Sequence, residues 1–299
     1  MVLRTILCPI DFTNLSTCEI DSAVEVATAF GARLVLHYNR MAIGPGLARA
    51  WDWKATHDPD SPSETEAEGK MRAALAALPP GVVAEGVISA GPIGGLVLAL
   101  AERIQADLIV IGSHGWSTQE HESVTERVLA QAPCPVLALH EGQQEPLRLG
   151  ASEAASPLRA VVPMDFSETA RYVLDYAYAL ARALPLQLEL LHVLPGRSRG
   201  APAAEEAARE RLVATVPADL ATRVTTCVRS GRPATVILSH LREVQPRFTV
   251  IGHHAQDLWR RLLTHDTARD VVHEACCPAW IVPAGTHLDV KKGAFTGSG

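Results

Sequence analysis

The sequence predicts an α/β protein made of two tandem doubly wound domains, each with a five-stranded parallel sheet between layers of helices. Three observations support this fold class. The chain has 299 residues, a length that suits two domains of ordinary size. Short apolar runs of Val, Ile and Leu alternate with Ala-rich segments, which is typical of buried parallel strands and their crossover helices. The segments of residues 1–141 recur in the same order in residues 158–286.

The first element of each half is an apolar strand that ends in a turn. RTILCPIDFTNLS at residues 4–16 matches RAVVPMDFSETA at residues 159–170. Both are an apolar run followed by Pro, one further residue, Asp-Phe and a hydroxyl residue. The run predicts a buried parallel strand and Asp-Phe predicts the strand-to-helix turn. The Ala-rich residues 17–30 and 168–184 then predict the first helix of each half.

The later elements also recur in order. Second strands are predicted at residues 32–38 and 186–193, helices at 64–78 and 203–216, and third strands at 81–89 and 223–230, before a Gly/Pro turn and another helix. Fourth strands follow at 106–115 and 246–255, then a helix, and fifth strands at 132–140 and 276–284. Residues 142–157 lack periodicity and predict a linker, and residues 287–299 predict a flexible tail.

Composition excludes several classes of protein. Hydrophobic residues make up 47% of the chain and the net charge is −6, which argues against a nucleic-acid partner. No apolar run reaches the roughly 18 residues of a membrane span, and no signal peptide is recognisable, so we expect a cytoplasmic protein without a membrane partner. The six cysteines form no CxxC pair and are expected to be buried, with a redox role for Cys276-Cys277 as the alternative.

Candidate binding residues follow the first, second and fourth strands. In an open parallel sheet, ligands bind beyond the carboxyl ends of the strands, near the point where strand order reverses. The residues at these ends form three pairs, one member in each half: Asp11 and Asp165, His37 and His192, Gly112 and Gly252.

These strand ends resemble the universal stress protein family. The first half carries the family's motifs as Pro9-Ile10-Asp11, Leu36-His37-Tyr38, Ile111-Gly112-Ser113-His114-Gly115 and Cys134-Pro135-Val136. The resemblance covers both halves. It implies a Rossmann-like, adenine-nucleotide alpha-hydrolase-like fold and ATP as the candidate ligand.

The resemblance also implies the candidate nucleotide-binding residues of the first half, which are Pro9, Asp11, Tyr38, Ile111, Gly112, Gly115, Ser123 and Val124. Asp11 would lie near the adenosine and Tyr38 would line the adenine pocket, while glycines and a helix N-terminus would cradle phosphates. The match is incomplete, because Glu122 replaces the family's later glycine and the loop before it is shorter. The site is therefore expected to be weakened.

The second half departs further from the family pattern. Asp165 and Gly252 are the counterparts of first-half residues, but Ala255, His265 and Asp266 replace the phosphate-binding residues. A degenerate site is predicted there.

Simpler interpretations stay open for several of these residues. Asp11 and Asp165 could cap the first helix or its turn, and His37 and His192 are expected to be ordinary strand-end residues. No metal is expected, because His253, His254, His265 and His273 match no zinc spacing. Trp51 and Trp53 would anchor their loop or cover a pocket.

The last strands indicate how the halves associate. Residues 135–140 and 279–284 are apolar and would be an aggregation hazard as open edges, so they are predicted to pair in an intramolecular pseudo-dimer. A homodimer of chains is compatible with this. The leading function is a stress-response regulatory or binding protein, with no catalysis beyond slow ATP hydrolysis. The alternative is a protein-interaction scaffold of the same fold that binds no nucleotide.

Overall fold

The computed structural model describes residues 1–12, 16–39, 64–90, 93–112, 124–140, 145–150, 158–196, 202–253 and 267–283. The first half contains β1 (Thr5–Ile10), α1 (Ser16–Phe30), β2 (Arg33–Asn39), α2 (Glu64–Ala76), β3 (Ala84–Ser89), α3 (Ile93–Arg103), β4 (Leu108–Gly112), α4 (Val124–Gln131) and β5 (Val136–Leu139). The second half contains β6 (Leu158–Pro163), α5 (Glu168–Ala183), β7 (Leu186–Pro195), α6 (Pro202–Thr215), β8 (Val224–Gly231), α7 (Pro233–Val244), β9 (Phe248–His253), α8 (Thr267–Glu274) and β10 (Ala279–Pro283). None of the helices in these residues is long and apolar enough to span a membrane.

All ten strands join one sheet in the order β3-β2-β1-β4-β5-β10-β9-β6-β7-β8. Within each half the neighbouring strands are parallel. Each parallel pair needs a crossover, which the helices between the strands supply. The predicted α/β fold class, with its two doubly wound halves, is therefore confirmed.

The central strands are apolar throughout because both faces of the sheet are covered. β1 and β4 are buried along their whole length. Successive side chains of a strand point to opposite faces, so Ile6 and Cys8 pack in one core layer while Leu7 packs in the other. This explains why the sequence shows a continuous apolar run here in place of an alternating pattern.

The two halves meet where β5 pairs with β10 in antiparallel register. Ala138 lies opposite Ala279, and Leu137 lies opposite Trp280. Trp280 is fully buried, and its indole Nε1 donates a hydrogen bond to the Tyr176 hydroxyl at 3.0 Å. Each of these two strands covers an edge of the other, so the polar backbone groups along that edge are paired across the two halves.

Part of the segment between the halves is docked onto α1. Leu147 and Leu149 are 1% and 2% exposed and belong to the core. The Leu147 amide donates to Ser22 Oγ at 2.9 Å, and the Leu149 amide donates to the Glu25 carboxylate at 3.1 Å. The composition that predicts a linker does not reveal this docking, because two alternating leucines are too short a pattern to indicate an element.

The cysteines differ in exposure more than the sequence suggests. All six are free thiols, and Cys8, Cys134 and Cys277 are buried as expected. Cys276 is exposed, so the expectation of burial is wrong for this residue, which stands at the turn before β10. Cys18 and Cys227 are partly exposed.

Candidate functional site

The candidate site lies at the carboxyl ends of β1, β2 and β4. β1 pairs with β2 on one side and with β4 on the other, so strand order reverses between β1 and β4. At such a reversal the following helices pass to opposite faces of the sheet and leave a crevice. Ile10 lies opposite Tyr38, and counting on along both strands from the Leu7–Ile109 pair brings Gly112 level with Ile10.

The turn after β1 has an unusual backbone conformation. Asp11 is exposed, and the next residue, Phe12, has a left-handed φ of 60°. Phe166 has a φ of 62° at the same place in the second half. A bulky side chain in this region costs roughly 1–2 kcal/mol, so the surrounding structure must hold both turns in place.

Phe12 covers Tyr38, the residue predicted to line the adenine pocket. The two rings lie 4.4 Å apart between centroids, at an angle of 42°. Tyr38 is 4% exposed, whereas Phe12 is half-buried. The aromatic ring that meets solvent at this edge is therefore that of Phe12.

The end of β4 is joined to the start of α4. The hydroxyl of Thr125 donates to the carbonyl oxygen of Gly112 at 3.0 Å, and Thr125 is 3% exposed. Val124, the first residue of α4, is half-buried. A helix N-terminus carries a partial positive charge and free amide groups, which favour an anion. The bond from Thr125 to Gly112 therefore holds the N-terminus of α4 at the same sheet edge as Gly112.

A buried carboxyl group lies close to Asp11. Glu19, in the first turn of α1, is 6% exposed. Burial, and to a smaller extent the negative charge of Asp11, together raise the pKa of Glu19 to about 8. Glu19 therefore holds its proton at neutral pH. Asp11 and Glu19 together then carry one negative charge and not two.

In the second half, the counterpart of Asp11 stabilises the turn. Asp165 accepts a hydrogen bond from the Ser167 amide at 2.9 Å. Ser167 is in turn the N-cap of α5, and its hydroxyl oxygen accepts from the Ala170 amide at 3.3 Å. Asp165 thus has the turn-stabilising role that was one of its two interpretations.

The second-half aromatic ring is covered by a cation. Phe166 lies 4.5 Å from the His192 ring, and the Arg211 guanidinium carbon lies 4.0 Å from the Phe166 centroid. Such a contact stabilises the arrangement by about 0.5–2 kcal/mol. No cation takes this place over Phe12 within the part of the chain that the structure describes. Gly252, the last residue but one of β9, lies opposite Val282 and is half-buried.

The strand-end histidines are engaged within the protein. His37 is 1% exposed, and its Nε2 lies 2.7 Å from Ser89 Oγ. Burial, and to a smaller extent the positive charge of Arg103, together lower the pKa of His37 to about 4, so the ring is neutral at pH 7. His192 Nδ1 lies 2.9 Å from the Met164 carbonyl oxygen.

The structure brings part of the predicted site together. Asp11 follows Ile10, which is level with Gly112, and Val124 begins the helix that Thr125 bonds to Gly112, whereas Pro9 and Ile111 are buried within their strands. Several residues of the sequence predictions lie outside the described residues: Gly115, Glu122, Ser123, Trp51, Trp53, His254, Ala255, His265 and Asp266. Three residues at this edge were not predicted: Phe12, Glu19 and Thr125. Only Phe12 had a usable signal, since Asp-Phe recurs in both halves.

Comparison with known proteins identifies the relatives of this chain. The model of the universal stress protein family matches residues 3–140 and again residues 158–283. The structure of a universal stress protein from Archaeoglobus fulgidus DSM 4304 has a TM-score of 0.65 at 19% identity, covering 94% of this chain and 97% of that one. A putative universal stress protein from Pseudomonas aeruginosa UCBPP-PA14 has a TM-score of 0.64 at 15% identity, covering 94% and 93%. None of the curated proteins matches the chain. The structural likenesses support the fold, and the two family matches cover most of the chain.

Proposed function

This chain belongs to the universal stress protein family, and on that premise we propose that it is a stress-response regulatory protein whose first half binds an adenine nucleotide, with ATP as the first candidate. The observation that carries the proposal is the convergence at one sheet edge of Asp11, Phe12 and Gly112, beside the N-terminus of α4. This edge is the switch point of the strand order, where ligands of doubly wound sheets bind.

Each group at this edge has a separate task toward a nucleotide. Phe12 offers a ring face on which a base can stack. Asp11 is exposed and offers a carboxylate to ribose hydroxyls. Gly112, without a side chain, lets a phosphate approach the backbone, and the partial positive charge of the α4 N-terminus favours that anion. Thr125 supports this arrangement because it fixes α4 to the end of β4.

Protonation of Glu19 favours nucleotide binding in this proposal. A second carboxylate beside Asp11 would repel the negative charges of the phosphates. Because the pKa of Glu19 is about 8, that second charge is absent at pH 7 and develops only in more alkaline solution. Affinity for ATP should therefore fall as the pH rises through 8.

The second half is mainly structural in this proposal. The ring of Phe166 contacts His192, and the Arg211 guanidinium lies over the ring, where a base would otherwise stack. Asp165 is bonded to its own turn. Binding of one nucleotide per chain is expected.

Calorimetric titration with ATP tests the proposal. We expect one site, an affinity reduced at least about tenfold in Asp11→Ala, and an unchanged affinity in the matched second-half variant Asp165→Ala. Phe12→Ala should weaken binding by a similar factor, whereas Tyr38→Phe, which changes a buried residue, should not. Absence of heat and of competition by ADP or AMP in the intact chain would remove the nucleotide proposal.

A second candidate is the protein-interaction scaffold without a small ligand. It is favoured by the burial of Tyr38 against Phe12, because the side chain predicted to line the adenine pocket is covered by another side chain of the protein. A partner that is captured through residues 39–63, with no effect of ATP and no heat of ATP binding, would favour this candidate over the first.

Catalysis is not part of the proposal beyond slow ATP turnover. Glu19 has the raised pKa expected of a general acid, but its 6% exposure keeps the carboxyl away from a substrate in solution. Steady phosphate release from ATP that is abolished in Glu19→Gln would contradict this view.

We further propose that the chain works as an intramolecular pseudo-dimer. Its support is the antiparallel pairing of β5 with β10, in which Ala138 faces Ala279. Opposed residues of such strands are about 4.5–5.5 Å apart at Cα, within disulfide range. Oxidised Ala138→Cys/Ala279→Cys protein should therefore run as a cross-linked monomer on a non-reducing gel. A dimer band in its place would show that the strands pair between chains.

A cytoplasmic location completes the proposal. Six free thiols and no disulfide in a chain of this size suit a reducing compartment. Fractionation of the native host cells would test the location directly.

A further inference from the structure

Three potential metal ligands converge in the second half, away from the nucleotide edge. Glu189 on β7, Cys227 on β8 and His240 on α7 each offer a ligand atom, and these atoms lie within 4.8 Å of one another. In the parallel register of β7 and β8, Glu189 lies opposite Thr225 and Leu191 lies opposite Cys227. Alternation of side chains puts Glu189 and Cys227 on one face of the sheet. His240 reaches this face from α7, which packs on it.

The imidazole of His240 is joined to Glu189 through one ring nitrogen. The side chain of His240 is 3% exposed, and Nε2 lies 3.0 Å from a carboxylate oxygen of Glu189. Nδ1 is buried and has no hydrogen-bond partner among the described residues. Because the two nitrogens lie on different sides of the ring, a cation can contact both His240 and Glu189 only at Nε2, where it would take the place of the proton between them.

The cation beside Cys227 has a partner of its own. The Arg229 guanidinium forms an ion pair with the Glu243 carboxylate at 3.1 Å. This pair does not involve Cys227, so a metal that binds the sulfur leaves it intact.

We propose that Glu189, Cys227 and His240 form a site for a divalent cation of the zinc type. Thiolate, imidazole and carboxylate are all zinc ligands, and three protein ligands leave a fourth position for water. Zinc–ligand distances of about 2.0–2.3 Å in a tetrahedron require ligand atoms about 3.3–3.6 Å apart, so ligand atoms that lie within 4.8 Å of one another would need to approach by about 1.5 Å at most. The sequence predicts no metal because these ligands come from three separate elements and match no short spacing.

A nucleophilic cysteine triad is the rival interpretation of the same residues. In a triad the thiol bonds one imidazole nitrogen while the carboxylate bonds the other. Glu189 bonds Nε2, but Nδ1 has no hydrogen bond to the sulfur or to any other described group. The relay from thiol to imidazole is therefore not formed.

Cobalt(II), an optical probe for zinc sites, tests the proposal on the full reduced chain without chelators. We expect one cobalt per chain, a near-ultraviolet thiolate charge-transfer band and displacement by equimolar zinc. The band should be lost in Cys227→Ser and strongly weakened in His240→Gln, and it should persist in Cys276→Ser, the control for a thiol outside the cluster. Absence of a thiolate band, or a band that survives Cys227→Ser, would overturn the proposal.

A measurement on the unaltered protein covers the case in which a variant fails to fold. Saturating zinc should slow iodoacetamide modification of Cys227 at least about tenfold, because the metal occupies the thiolate. Modification of the exposed Cys276, followed in the same sample by peptide mass spectrometry, should not change. Equal rates at Cys227 with and without zinc would reject the site, whatever ATP does at the other half.

Discussion

Replacement of Glu19 by Gln should remove a pH dependence from the stability of the fold. The pKa of this carboxyl rises from 4.5 to about 8 in the folded protein, first because of burial and then because of Asp11. Below pH 4.5 both the folded and the unfolded chain hold the proton. Between pH 4.5 and 8 only the folded chain holds it, so the free energy of unfolding falls as the pH rises.

The size of the effect follows from the shift. Each unit is equivalent to about 1.4 kcal/mol, so the shift from 4.5 to about 8 corresponds to a loss of up to about 5 kcal/mol between pH 4.5 and pH 8. Glutamine has nearly the same shape and never ionises. The free energy of unfolding of Glu19→Gln, relative to that of the wild type, should therefore rise by about 1.4 kcal/mol per pH unit across this window.

Urea unfolding followed by circular dichroism, at intervals from pH 5 to pH 9, measures this difference directly. His37, whose folded pKa is lowered to about 4, contributes a slope of opposite sign from pH 4 to 6.5, but it contributes equally to both proteins and cancels. Asp21→Asn, an exposed change on the same helix, is the matched control and should shift stability by less than about 0.5 kcal/mol at every pH. Parallel profiles for wild type and Glu19→Gln would refute the reasoning.

Other predictions concern packing and hydrogen bonds and are checked by urea unfolding at pH 7. Leu147→Ala should cost about 2–5 kcal/mol because the side chain is 1% exposed, whereas the neighbouring, largely exposed Arg148→Ala should cost less than about 1 kcal/mol. Asp107→Ala should cost about 1–3 kcal/mol, since its carboxylate accepts from two amides at the start of β1. Trp280→Phe should cost about 1–3 kcal/mol because it leaves the buried Tyr176 hydroxyl without its donor. Equal values for the two connector variants would contradict the docking of this segment.

The architecture was predictable because it depends on patterns that repeat along the chain. Strands such as β1 and β4 are buried on both faces, so their residues must be apolar throughout. The alternation of these apolar strands with Ala-rich helices is therefore visible in the sequence. The Asp-Phe turn was also predictable, because it recurs in the sequence at Asp11 and Asp165. What the pattern could not show is that Phe12 adopts a left-handed conformation, because that choice is imposed by the sheet edge and not by local preference.

The site residues were less predictable because burial and charge are set by long-range contacts. Tyr38 follows the family motif, yet its exposure depends on where Phe12 folds. Glu19 looks like one of several acidic residues of α1, and only its position against the core and Asp11 raises its pKa. The cluster of Glu189, Cys227 and His240 comes from three separate elements, so no local spacing could reveal it.

The difference between the halves arises from side chains that fill equivalent places on one backbone. Both halves share the strand order, the Asp-Phe turn and an aromatic residue with positive φ. In the second half, Arg211 lies over Phe166, so the place where a base could stack is taken by the protein itself. If this cation is what closes the second site, Arg211→Ala should expose the Phe166 ring and leave the fold intact. A second nucleotide would also need residues that hold its phosphates. The second half has Ala255, His265 and Asp266 in place of the family's phosphate-binding residues, so we expect no second nucleotide to bind to Arg211→Ala. Calorimetry should therefore still show one site in this variant, and a second site would mean that Arg211 alone separates the two halves in function.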